Sequence, residues 1–272
     1  MNSFLCVSYA EYSTRFSPSC TVLYCTISAI LQTQSACISA SYPFTNAVGY
    51  QTSDTLPKGA LITYGAMFEN TTGAGLDLQN ISLSAGCPAD GGTYIMWWEG
   101  KWVKAYWVEL DFDPDNIGWG DDEDWLPIDK TFDVGEAFFI QASSATTEPA
   151  ITAAGQVLNA SGAAAYGIPL PKGALQFVTN PFPGEVNLQK IALSAGCPAD
   201  GGTYLMWWEG KWVKAYWVEL DFDPDNLGWG DDEDWLPITK TMAKGEGFFV
   251  QASSATTEPE IVFPNPLATV TP

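Results

Sequence analysis

Apolar and polar residues alternate along much of this chain with a period of two, the repeat of a β-strand whose successive side chains point to opposite faces. The clearest stretch is Thr93–Trp98 followed by Lys101–Val108. Glu99-Gly100 lies between them as a two-residue hairpin turn, with the glycine supplying positive φ. Further strands are predicted at Ala60–Tyr64, Ile81–Ser84 and Ala137–Ala142, and again at Ala174–Val178, Ile191–Ser194 and Gly247–Ala252. No stretch carries a convincing helical period. Frequent punctuation, with 25 Gly and 18 Pro in 272 residues, suits many short strands, so the fold class expected is all-β.

The second set of strands repeats the first. Ser84–Thr131 matches Ser194–Thr241 over 48 positions with only three differences, Ile95/Leu205, Ile117/Leu227 and Asp129/Thr239. The match extends upstream through LPKGAL (Leu56–Leu61 and Leu170–Leu175). Downstream it continues as GEAFFIQASSATTEP (Gly135–Pro149) against GEGFFVQASSATTEP (Gly245–Pro259). The first copy is four residues longer around Thr71–Gly75, which reads as a loop. Two tandem, near-identical modules follow, 41–155 and 156–272, each a β-sandwich or small β-barrel whose strand order stays open. The boundary falls within Ala150–Gly167, too short for a long tether.

The succession LPKGA, TNPF (Thr179–Phe182), GGTYLMWW (Gly201–Trp208) and GEGFFV (Gly245–Val250) resembles repeated modules of uncharacterised secreted proteins of planctomycete and verrucomicrobial bacteria. The first copy departs from it, with TYGAMF at Thr63–Phe68 and Ala137 in place of Gly247. The resemblance implies export and a β-fold, and attaches no activity.

Residues 1–40 differ from the rest. They hold four of the six cysteines and an apolar run, Thr21–Leu31, too short to span a bilayer but of the length of a signal-peptide core. This segment is expected to be signal-like or disordered, and the mature protein extracellular or at the cell surface. Cys87 and Cys197 would then remain, either as small buried residues in Cys-Pro turns or as a disulfide.

Charge narrows the chemistry. Against 32 acidic residues stand 11 basic ones, a net charge of −21, so nucleic acid and anionic membranes lack the basic cluster they need. Histidine is absent and Arg15 is the one arginine. The commonest general base and the bidentate phosphate clamp are therefore missing, and the chain is read as no enzyme.

Each copy carries six tryptophans. Trp97 and Trp98 are neighbours on one strand, so one faces a core and the other faces outward. Trp102 shares a face of the next strand with Tyr106, and Trp107 takes the other. Together with Trp207, Trp208, Trp212 and Trp217, these residues are candidates for core, for a subunit interface or for a sugar-stacking platform.

The second constellation is LDFDPDNIGWGDDEDW, Leu110–Trp125, repeated at Leu220–Trp235 with one change. Asp111, Asp113, Asp115 and Asp122 fall at positions 1, 3, 5 and 12 of a calcium loop, as do Asp221, Asp223, Asp225 and Asp232. Calcium is accordingly the expected cofactor. Two copies of one sticky surface on a single chain lead to the expectation of a secreted, non-catalytic structural protein that self-associates into a filament, sheath or surface layer. A carbohydrate-binding or adhesive protein using the tryptophan rows is the alternative, with polysaccharide as the partner in place of the chain itself.

Overall fold

The computed structural model describes residues 48–69, 75–84, 87–142, 148–158, 164–194, 196–252 and 258–266. The expectation of a signal-like segment at 1–40 lies outside them. The first half contributes β1 (Val48–Thr55), β2 (Leu61–Gly65), β3 (Phe68–Glu69), β4 (Leu76–Asp77), β5 (Ile81–Leu83) and β6 (Asp90–Trp98). It continues with β7 (Trp102–Glu109), β8 (Ile117–Gly120), β9 (Thr131–Phe132), β10 (Ala137–Ala142) and β11 (Ala150–Val157). The second half supplies β12 (Ala165–Pro169), β13 (Leu175–Thr179), β14 (Val186–Asn187), β15 (Ala192–Leu193) and β16 (Asp200–Trp208). It ends with β17 (Trp212–Glu219), β18 (Leu227–Gly230), β19 (Thr241–Met242), β20 (Gly247–Ala252) and β21 (Glu260–Pro264).

These strands form four principal antiparallel sheets. The first has the order β1-β11-β3, with β5 also on β11, and the second the order β2-β10-β6-β7-β8. The third is β12-β21-β15 and the fourth β13-β20-β16-β17-β18, while β4-β9 and β14-β19 make short ladders. The period-two pattern sets which face each strand buries. Ile95 and Trp97 of β6, with Phe138 and Ile140 of β10, point toward Ile81, Ile151 and Ala153 of the first sheet. In the second half, Leu205, Trp207, Phe248 and Val250 likewise meet Ile261 and Phe263.

The sheets also pack across the repeat boundary. Ala137 and Phe139 of the second sheet form a separate core with Phe177 and Phe249 of the fourth. Val134, from the first half, belongs to the core of the second. Backbone joins the halves as well, through the Thr179 N–H donating to the Gly135 carbonyl at 2.8 Å and a bridge between Glu136 and Val178. On the remaining side, Glu69 and Asp133 face Tyr166, Ile168 and Gln176 across a cleft of about 390 Å³. First sheet against second, second against fourth, fourth against third and third against first close a ring, a four-bladed β-propeller.

Two tandem β-sandwich or small-barrel modules are therefore corrected to one ring. Each half does bury a core largely of its own, but independent modules would stop there, whereas here a further core of Ala137, Phe139, Phe177 and Phe249 is shared between the halves. The likeness to secreted tandem-module proteins is corrected on the same ground, because TNPF, GGTYLMWW and GEGFFV fall on or at the ends of β13, β16 and β20 of a single blade, the fourth, which packs against the second. The tandem repeat of the sequence does not give a tandem of independent units. The Ala150–Gly167 stretch is no bare boundary either. Most of it is strand, and β11 is the central strand of its sheet, paired with β1 on one side and with β3 and β5 on the other.

Candidate functional site

The second and fourth blades meet along a seam lined by the outward faces of their strands. Alternation on β6 puts Tyr94, Met96 and Trp98 on that face, and register brings Tyr106, Lys104 and Trp102 of β7 opposite them. On β16 and β17 the same register pairs Tyr204 with Tyr216, Met206 with Lys214 and Trp208 with Trp212. The neighbouring strand β10 adds Phe139 beside Met96 and Gln141 beside Tyr94.

At the floor of the seam, Phe177 stacks on Phe139 at 4.7 Å and on Phe249 at 4.5 Å between ring centroids. Four tryptophans rise from this floor. Trp102 meets Phe139 at 5.6 Å and Phe249 at 6.0 Å, and Trp212 meets Phe249 from the other side at 5.7 Å. Trp98 lies edge-on to Trp102 at 5.2 Å and Trp208 edge-on to Trp212 at 5.3 Å. Although they touch a core, these rings remain open: Trp102 is 42% exposed, Trp212 47% and Trp208 52%. Trp98 is half-buried.

Polar groups continue the aromatic strip. The Lys104 ammonium sits 4.5 Å above the centre of the Tyr94 ring, as Lys214 does above Tyr204. The Tyr94 hydroxyl donates to Gln141 Oε1, whose amide nitrogen donates to the Gly59 carbonyl. Burial, with Asp122 and Tyr94 nearby, pushes the Tyr106 phenol above its ordinary pKa, so Tyr106 stays a neutral hydrogen-bonding group.

The other tryptophans singled out from the sequence are core. Trp97, Trp107, Trp207 and Trp217 are buried. Trp119, which packs on Trp107 at 5.0 Å, donates its indole N–H to the Ile81 carbonyl at 2.6 Å and so ties the second blade to the first. Cys87 and Cys197 are free thiols, each hydrogen-bonded to a threonine hydroxyl, Thr93 or Thr203. Burial pushes both thiols above their ordinary pKa.

The calcium expectation is corrected. Among the described residues no group of three or more His, Cys, Asp or Glu could hold a metal ion. The reason is the course of the chain. Asp111, Asp113 and Asp115 lie beyond the Glu109–Ile117 pair at one end of β8, while Asp122 follows Gly120 at the other end, near Tyr106. A four-residue strand separates them, and Asp113 turns its carboxylate onto the Asp115 N–H at 3.0 Å. Asp221, Asp223, Asp225 and Asp232 repeat this arrangement in the second half, with Asp223 accepting from Asp225 at 3.0 Å.

Phe139, Phe177, Phe249 and Lys104 were not singled out by sequence reasoning. Lys104 was within reach of it, since extending the alternation from Trp102 by two residues puts it on the same face. The phenylalanine floor was not, because it depends on which blades meet. Compared with protein-family models, with curated proteins and with solved structures, the chain matches none. Among the described residues no helix is long and apolar enough to cross a membrane.

Proposed function

We propose that this chain is a non-catalytic, extracellular carbohydrate-binding or adhesive protein that grips a glycan along the tryptophan seam. The observation that carries this reading is the convergence of Trp98, Trp102, Trp208 and Trp212 on one open seam, with hydrogen-bonding tyrosine, glutamine and lysine side chains on the same faces. A pyranose ring has an apolar C–H face and a rim of hydroxyls, so it asks for flat rings to stack on and polar groups beside them. A surface that was core alone would not leave three indoles nearly half exposed.

The filament reading loses its footing for a geometric reason. It needs two separate copies of one sticky surface, whereas both sets of tryptophans here meet on Phe249 and form a single surface. Exposed lysines on that face also weigh against a seam closed by a second copy, because the centre of a protein interface is depleted in charge.

Tryptophan fluorescence titration against a panel of soluble polysaccharides tests the proposal, with the wild type beside the Trp102→Ala, Trp212→Ala double variant. Quenching or a blue shift that saturates in the wild type and vanishes in the variant is expected. A panel that leaves the wild-type spectrum unchanged, or a concentration-dependent dimer abolished by the same variant, would overturn it.

A further inference from the structure

The lysines are distributed unlike the charge of the chain as a whole. Lys130 and Lys240 each hold two glutamates: Lys130 pairs with Glu99 at 3.4 Å and Glu136 at 3.0 Å, and Lys240 with Glu209 and Glu246, both at 2.9 Å. Both lie over the inward tryptophans, at 5.9 Å from the Trp97 ring and 5.8 Å from the Trp207 ring. On the outward face the pattern reverses. Lys104 and Lys214 are exposed, lie over tyrosine rings, and among the described residues have no carboxylate partner, although acids outnumber bases 32 to 11.

Other cations border the same seam. Lys101 and Lys211 stand in the turns next to Trp102 and Trp212. Lys58 and Lys172 stand in the turns that Gln141 and Gln251 bind through the Gly59 and Gly173 carbonyls. Of these six lysines, Lys104 and Lys214 lie on the tryptophan face itself and the other four stand in turns that flank it. Glu99 and Glu209, which follow Trp98 and Trp208 in the chain, are engaged by Lys130 and Lys240, while Asp122 and Asp232 act on Tyr106 and Tyr216.

We infer that the ligand of the tryptophan seam is an anionic polysaccharide, whose carboxylate or sulfate groups are held by Lys104 and Lys214 while its sugar faces lie on Trp102 and Trp212. This inference rests on the carbohydrate reading. A lysine laid on an aromatic ring keeps its ammonium donors free for an incoming acceptor, and without an ion pair its charge is available to that acceptor. The net charge of −21 opposes an anion only at long range. With a screening length of about 8 Å at physiological ionic strength, the cations in contact with the ligand outweigh the distant acids.

The experiment compares polygalacturonate, its fully methyl-esterified form and a neutral β-glucan, using isothermal titration calorimetry. The proteins are the wild type, Lys104→Gln with Lys214→Gln, the corresponding double arginine variant, and Trp102→Ala with Trp212→Ala. The wild type should bind polygalacturonate more tightly than its ester. The glutamine pair should lose about three- to tenfold of that affinity, as two exposed charge contacts would, and the arginine pair should keep it. The tryptophan pair should bind neither form. Equal affinity for acid and ester, unchanged in the glutamine pair, would overturn the anionic ligand and leave the carbohydrate reading standing. Absence of binding to all three polymers by the wild type, with no effect of the tryptophan pair on a wider panel, would remove the carbohydrate reading and this inference with it.

Discussion

Trp97 and Trp98 are chain neighbours, yet they belong to different environments. Trp97 packs edge-on against Phe132 at 5.7 Å and donates its indole N–H to Glu99, within a core shared with the first blade. Trp98 stands on the opposite face and touches Trp102 on a surface open to solvent. The two faces of one hairpin therefore divide the work between them: the inward face holds the blades together and the outward face is available to a ligand. Residue type does not separate these roles. Position on the pleat does.

Changes on the two faces should separate in the same way. The largest effect is expected on the inward face. Trp119→Ala removes a fully buried ring and leaves the Ile81 carbonyl without its donor, so a stability loss of about 3–5 kcal/mol should appear as a lowered urea midpoint. Trp229→Ala should behave alike, since Trp229 donates to Ile191 at 2.7 Å.

The next effect is at the seam floor. A methyl at Gly247 would meet Ala137 Cβ at 2.8 Å and the Phe177 ring at 2.9 Å. Gly247→Ala is therefore expected to cost about 1–3 kcal/mol, with part of the loss recovered by adding Ala137→Gly. Equal stabilities of the single and double variants would show that the close approach is not what selects glycine there.

On the outward face the expectation is inverted. Trp102→Ala with Trp212→Ala should change stability by about 1 kcal/mol or less per site, well below the core value, while removing glycan binding. A loss as large as that of Trp119→Ala would erase the distinction between the faces.

The smallest effect lies at the rim. Backbone N–H groups of Asp124 and Glu123 donate to the Asp121 carboxylate at 2.8 and 3.1 Å and hold its pKa below the usual carboxylate range, as those of Asp234 and Glu233 do for Asp231. A depressed folded-state pKa contributes stability above the unfolded value of about 4 and loses it as pH falls through the folded one. Melting temperature should drop on acidification past that range, and Asp121→Asn with Asp231→Asn should make the drop shallower.

Much of the local structure was legible in the sequence. The β6–β7 hairpin, and strands β10 and β20 to the residue, followed from alternation and a Glu-Gly turn. Strand β11 did not, because AITAAGQV has no aromatic residue and carries three alanines and a glycine, so it owes its conformation to pairing on both sides. Propeller closure was hidden for a related reason. Which sheets face each other depends on Phe139, Phe177 and Phe249, residues distant in the chain that carry no local sign of their partnership. The acidic loop misled because its spacing suits a continuous loop, while the chain inserts a β-strand between the third and fourth carboxylates. The outward tryptophans could be placed on a face by the pleat, but their meeting at one seam could not.

The contact between Ala137 and Gly247 bears on the gene as well as on the protein. Near-identical segments offset by 110 residues are sites for unequal recombination, and a crossover anywhere within Ser84–Thr131 would delete one copy. The shortened chain would keep β1 and β2 from the first copy and everything from β19 onward from the second, hence Gly247 and never Ala137. Two such half-rings could approach each other without the methyl contact that shapes the present seam. The glycine thus leaves open a return from a fused ring to a pair of identical chains.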